Sequence, residues 1–134
     1  MTEALSKTAI DHIVRPRNLG RLSGADGFGR VTGPCGDTME IWLMVRDNRV
    51  CEATFMTDGC ATTLASGSMV TELATGRPVA EAMKIDQDEI LRCLEGLPPD
   101  SQHCALLAAN TLREAIRDYL AVSREPWRKA YRTY

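Results

Sequence analysis

At 134 residues and 44% apolar, the chain can bury the core of one domain and does not need its cysteines as staples. A formal charge of −2 gives no general attraction to nucleic acid or to an anionic membrane. No apolar run approaches the roughly 20 residues of a membrane span, the first ten residues are not a signal peptide, and five cysteines with no mark of secretion read as reduced thiols in the cytoplasm.

The chain is read as one domain, 1–134, without internal repeats. A short helix is predicted over residues 3–14 and stops at Pro16. The glycine-rich stretch 23–29 reads as a loop leading into a first strand near 30–33. A clear strand follows, in which Met39, Ile41, Leu43 and Val45 alternate with Glu40, Trp42, Met44 and Arg46. Asp47-Asn48 makes a turn into a second such strand, 50–57. There Cys51, Ala53 and Phe55 share one face, so Cys51 is expected to be an inert core thiol.

After Cys60 the spacing becomes helical: Ala61, Leu64, Ala65, Met69 and Leu73, ended by Gly76. This helix is rich in small residues, which permits close packing beneath a site. Two short helices are predicted at 79–83 and 87–94. Cys93 lies on an apolar stripe with Ile90, Leu94 and Leu97 and is also read as core. Leu97-Pro98-Pro99 is a stiff break. A long helix over 101–122 carries Ala105, Ala108, Ala109, Leu112, Ile116, Tyr119 and Leu120 on one stripe. Strands first and helices afterwards predict an α+β fold, a small antiparallel β-sheet packed against helices.

The other three cysteines stand at junctions. Cys35 lies in Gly33-Pro34-Cys35-Gly36-Asp37, Cys60 in Asp58-Gly59-Cys60, and Cys104 follows His103 at the start of the long helix. Helix N-termini favour thiolate at Cys60 and Cys104, and thiolate is both metal ligand and sulfur nucleophile. Asp37 and His103 each lie within two residues of one of these thiols. Three soft sulfurs favour an iron–sulfur centre, zinc or copper(I) over magnesium or calcium. No zinc-finger or ferredoxin Cys-x-x-Cys run is present. His12, before Arg15-Pro16, reads as a packing or surface histidine.

These residues carry a resemblance. Asp11-His12 with Pro16-Arg17-Asn18-Leu19-Gly20, then Pro34-Cys35-Gly36-Asp37, Ala53-Thr54-Phe55, Asp58-Gly59-Cys60, Ala65-Ser66, Val70-Thr71-Glu72, Leu97-Pro98-Pro99 and His103-Cys104 follow in order along the chain. The set resembles the U-type iron–sulfur cluster assembly scaffolds, the IscU proteins and the N-terminal domain of NifU. That resemblance implies a carrier, not a turnover enzyme, on which a [2Fe–2S] cluster is built from Fe2+ and sulfide and then given away. It implies Cys35, Cys60 and Cys104 as thiolate ligands and Asp37 as the carboxylate that keeps the site labile. His103 is implied as an alternative ligand or proton-handling group, and Cys104 as the persulfide acceptor. The implied partners are a cysteine desulfurase of the IscS/NifS type, an electron donor such as ferredoxin, and apo Fe–S acceptor proteins. Zn2+ can fill the same ligands in the purified form, and a cluster bridging a homodimer is compatible with them.

The chain also departs from the family pattern. Leu97-Pro98-Pro99 is followed by Asp100-Ser101 where the family has Val-Lys, a lost cation and a gained anion that argue against a dedicated Hsp70-type chaperone. Many members read Gly-Cys-Gly-Ser-Ala-Ile-Ala-Ser; here the segment is Gly59-Cys60-Ala61-Thr62-Thr63-Leu64-Ala65-Ser66. Keeping His103 and lacking an insertion make the chain more IscU-like than SufU-like. Arg124, Arg128, Lys129 and Arg132 form either a docking face for an acidic partner or a solvated tail. Two rivals use the same ligands: a zinc-dependent sulfur acceptor, and a stable electron carrier, against which Asp37 in place of a fourth cysteine argues.

Overall fold

The structure is a computed structural model and describes residues 5–127. The chain runs α1 (Lys7–Val14), β1 (Gly27–Thr32), β2 (Thr38–Arg46), β3 (Arg49–Thr57), α2 (Ala61–Ala74), α3 (Val79–Ala82), α4 (Gln87–Cys93), a 3-10 turn (Pro99–Ser101) and α5 (Gln102–Arg124). The three strands form one antiparallel sheet in the order β1-β2-β3. This is the α+β architecture expected. Of the basic tail, only Arg124 at the end of α5 falls within the described residues.

Helix α1 starts later than its apolar pattern suggests. Ser6 is its N-cap, with an extended backbone and a side chain that accepts a hydrogen bond from the Ala9 N–H at 2.9 Å. Asp47 and Asn48 both have positive φ, 53° and 60°, as a two-residue hairpin between twisted strands requires.

Strand β1 includes the strand expected near 30–33 but starts earlier, at Gly27, inside the stretch expected to be a loop. Its glycines are there for close approach. A Cβ on Gly29 would lie 2.5 Å from the Ala115 N and 2.6 Å from the Thr111 O, and one on Gly27 2.5 Å from the Ala115 O. The backbone of α5 therefore rests directly on β1. Gly67 does the same between α2 and the sheet: a Cβ there would meet the Phe55 ring at 2.5 Å.

The core lies between the sheet and the helices. Met39, Ile41, Leu43, Ala53 and Phe55 face Ala65, Val70, Ala105, Ala108, Ala109, Leu112 and Ile116, all fully buried or nearly so. Helix α2 is buried on most of its circumference because α1, α5 and β3 all pack on it. Its small side chains make that possible.

Cys51 departs from its expected place. It is exposed, while Val50 and Ala53 on either side of the pair Cys51-Glu52 are buried. The register shifts between Met44 and Val45: Met44 pairs with Glu52, and Val45 with Val50. Cys51 is thus the extra residue of a β-bulge, which breaks strict alternation and turns its thiol outward. Cys93 is half-buried and packs against the core, in line with its stripe.

Candidate metal centre

Three segments converge at one end of the sheet. The β1–β2 connection folds back at residues 33–37: the Gly33 N–H donates to the Asp37 O at 2.8 Å and the Gly36 N–H to the Gly33 O at 3.0 Å. Gly36 has φ 94°, which an L side chain would resist. Asp58 ties this hairpin to the end of β3. Its carboxylate accepts from the Thr38 N–H at 2.8 Å, and the Thr57 hydroxyl donates to the Thr38 O at 2.7 Å. Cys60 is the N-cap of α2, with its sulfur at the start of the helix beside Thr62 and Thr63.

Among the described residues, the ligand atoms of Asp37, Cys60 and Cys104 all lie within 4.8 Å of one another. His103 is beside them, its Nε2 3.8 Å from the Cys104 Sγ. Cys35 is not in this tight group. It is exposed on the hairpin and lines a neighbouring cavity of about 130 Å³ with His103, Val31, Pro34, Leu106 and Leu107. The five residues singled out in the sequence therefore sit in one region, three of them within coordination reach of a single ion.

Two hydroxyls missed in the sequence complete the site. The Thr62 Oγ1 lies 3.2 Å from the Cys60 Sγ and 3.5 Å from the Cys104 Sγ. The Thr63 Oγ1 lies 3.0 Å from the Asp37 Oδ2, 3.3 Å from the Cys104 Sγ and 3.8 Å from the Cys60 Sγ. The available signal was their place, two and three residues after a helix-capping cysteine, where side chains point back over the N-terminus.

The two thiols differ electrostatically. The Thr62 hydroxyl lowers the Cys60 pKa most, burial opposes it, and the backbone N–H and hydroxyl of Thr63 add to the lowering, for a value of about 7. Cys104 is 2% exposed, and burial pushes its pKa up despite both hydroxyls, helped by the neighbouring Cys60 and Asp37. The expected preference for thiolate at both helix starts thus holds for Cys60 and is reversed at Cys104. Cys104 is the third residue of α5, its sulfur against Thr62 and Thr63 of α2, where desolvation outweighs the helix terminus.

A small α+β domain that gathers soft thiols and one carboxylate at the end of its sheet defines a metal- and sulfur-handling class of protein. The chain belongs to the NifU-like N terminal domain family, which it matches over residues 4–125. It is 47% identical over 115 residues to "Iron-sulfur cluster assembly scaffold protein IscU 1" of Archaeoglobus fulgidus, covering 85% of this chain and 75% of that protein. It is 42% identical over 123 residues to the scaffold protein IscU of Haemophilus influenzae, covering 88% and 97%. The solved N-terminal NifU-like protein from Brucella abortus shares the fold, with a TM-score of 0.69 at 20% identity, covering 87% of this chain and 94% of that one.

Proposed function

We propose that this protein is a scaffold on which a [2Fe–2S] cluster is assembled and from which it passes to apo-acceptor proteins. The observation that carries this reading is the convergence of the Asp37 carboxylate with the Cys60 and Cys104 sulfurs inside 4.8 Å. Thiolates hold iron firmly, and a single hard carboxylate gives a weaker position where an incoming thiol can enter. Cys35, on the hairpin that also bears Asp37, supplies the third sulfur, and His103 is the alternative ligand. Relatives named as IscU scaffolds support the same reading.

The chemistry assigned to the chain is acceptance, not bond breaking of free cysteine. A desulfurase persulfide, R–S–SH, meets a thiolate on the scaffold. The scaffold sulfur forms a new S–S bond to the terminal sulfur, the old S–S bond breaks, and the desulfurase leaves as thiolate. Reducing that sulfur to sulfide takes electrons from a donor of the ferredoxin type. Fe2+ completes the cluster, and Zn2+ is the competing ion for the empty ligands. The cytoplasmic setting belongs to the same proposal.

Cys104 is the assigned sulfur acceptor, beside His103. One observation favours a second reading: Cys60 is exposed and thiolate-prone, while Cys104 is buried and its pKa is raised. Incubation with a cysteine desulfurase and cysteine, followed by peptide mapping, separates the two. Extra sulfur on Cys104 supports the first assignment, and extra sulfur confined to Cys60 replaces it. Anaerobic reconstitution with iron, cysteine and desulfurase tests the scaffold itself, read by visible absorption and an iron and sulfide count. Wild type should assemble a cluster, and Ser at Cys35, Cys60 or Cys104 should abolish or shorten it. A wild type that gathers no iron and sulfide would remove the proposal.

A further inference from the structure

Thr63, like its neighbour Thr62, is a helical threonine whose hydroxyl turns to the metal centre and not back into its own helix. Ser66 donates to the Thr62 O, Thr71 to the Gly67 O, Thr75 to the Thr71 O and Thr111 to the Leu107 O. All four bond back to the carbonyl one turn earlier, the usual resting place for a hydroxyl in a helix. The Thr63 hydroxyl instead points into the metal centre, although the residue is fully buried. It stands 3.0 Å from the Asp37 Oδ2, and this short contact to a carboxylate is the strongest bond open to its single proton.

The backbone is shaped around this side chain. A Cβ on Gly59 would lie 2.7 Å from each of the Thr63 Cβ, Cγ2 and Oγ1 atoms. The Gly59-Cys60 turn therefore closes over Thr63 and limits its rotation, and branching at Cβ limits it further. Asp37 has no such enclosure. It sits on a short hairpin, half-buried, at a glycine with positive φ. The Thr63 hydroxyl is its side-chain link to the rigid start of α2.

We propose that Thr63 is a positioning residue: its hydroxyl holds the Asp37 carboxylate over the Cys60 and Cys104 sulfurs and so makes Asp37 a ligand of the site. The inference rests on the metal-centre reading above and adds to it a residue outside the implied ligand set. The family pattern quoted above carries alanine where this chain has Thr63, so the carboxylate anchor is a property of this sequence. A ligand held by an ordered partner binds more tightly than one that must be recruited from a mobile loop, and losing such a partner typically costs about 10- to 100-fold in metal affinity.

Anaerobic titration of the metal-free protein with Co2+ alone tests this, because thiolate-to-cobalt and ligand-field bands report both affinity and ligand set. Wild type should bind with strong thiolate bands. Thr63→Val should bind about 10- to 100-fold more weakly, with ligand-field bands moved toward those of Asp37→Ala. Thr63→Ser, which restores the hydroxyl, should restore affinity and spectrum. In an Asp37→Ala background, Thr63→Val should add no further loss. Should Thr63→Val fold poorly, Thr63→Ala removes the same hydroxyl without the branched methyl groups. A hydroxyl-free variant with wild-type affinity and spectrum overturns the inference while the metal centre stands. So does a full additional loss without Asp37, which would mean that Thr63 acts on the sulfurs or on packing. A wild type that shows no thiolate–cobalt bands overturns the metal-centre reading and this inference with it.

Discussion

Cys60 and Cys104 share the same two hydroxyl partners, yet their surroundings push them in opposite directions. Cys60 stands at a helix cap with solvent access, and donors from Thr62 and Thr63 bring its pKa to about 7. Cys104 is enclosed, and its thiol form is favoured. At pH 7 in the metal-free protein, iodoacetamide should therefore label Cys60 well before Cys104. The Cys60 rate should rise with pH and level off above about 7 to 8, because the thiolate is the nucleophile. Time-resolved mass mapping checks both statements, and equal labelling of the two thiols would contradict the enclosure of Cys104. The sequence marked both cysteines through their glycine, proline and histidine neighbours. It did not separate them, because the burial of Cys104 involves residues distant in sequence, Thr62 and Thr63 among them.

At the scale of elements, the legible parts were those with a period. The alternation of Met39, Ile41 and Leu43 and the stripe of Ala105, Ala108 and Leu112 gave the sheet and α5. What escaped were places where a glycine or one extra residue serves packing. Gly27 and Gly29 looked like loop and are strand, and the bulge at Cys51 inverted its face. Packing at Gly67 can be tested directly. Ala in place of Gly favours an exposed helix by about 1 kcal/mol. Here the new methyl would meet the buried Phe55 ring at 2.5 Å, and overpacking costs about 1–3 kcal/mol. Gly67→Ala should thus lower the urea midpoint, and a raised midpoint would show that the ring has room to move.

Helix α1 carries a different dependence. His12 is buried against Ser68 and Glu72 of α2, with Asp11 and Arg17 on its own side. Burial first, and then the Arg17 guanidinium, hold its pKa below 6.5 against the opposing pull of the Glu72 and Asp11 carboxylates. The unfolded chain therefore takes up a proton before the folded one. This contribution to stability is intact above about pH 6.5 and is lost as pH falls toward the lower folded value. Asp11, held at about 2 by hydrogen bonds from Arg17 and Arg15, adds a second loss as pH falls from 3.8 to that value. Urea midpoints should decline from pH 7.5 to 5.5 in wild type and decline less in His12→Gln. A flat profile in the wild type would contradict the buried, neutral imidazole.

For the whole molecule, the layout separates holding from releasing. Cys60 and Cys104 sit at the starts of two helices packed on the sheet, whereas Asp37 and Cys35 ride on the hairpin between β1 and β2. Both helix starts belong to elements packed on the core, whereas the hairpin is a short connection tied to β3 through Asp58 and to α2 through Thr63. In the proposed scaffold Asp37 is the one hard ligand, and a carboxylate is a weaker partner than thiolate for the iron of a sulfide cluster. Under the scaffold proposal, an incoming acceptor thiol takes the place of this carboxylate first, and the cluster leaves through the hairpin side. Asp37→Cys should replace the exchangeable ligand with a thiolate, lengthen cluster lifetime in air and slow transfer to an apo-ferredoxin. Asp37→Ala should also slow transfer, because His103, 3.8 Å from the Cys104 sulfur, is placed to ligate in its stead. Both variants should keep the wild-type far-ultraviolet circular dichroism, since Asp37 lies outside the core. Transfer rate and the decay of visible absorption are the measurements. Unchanged or faster transfer from both variants would place the source of lability in the helix ends instead of the hairpin.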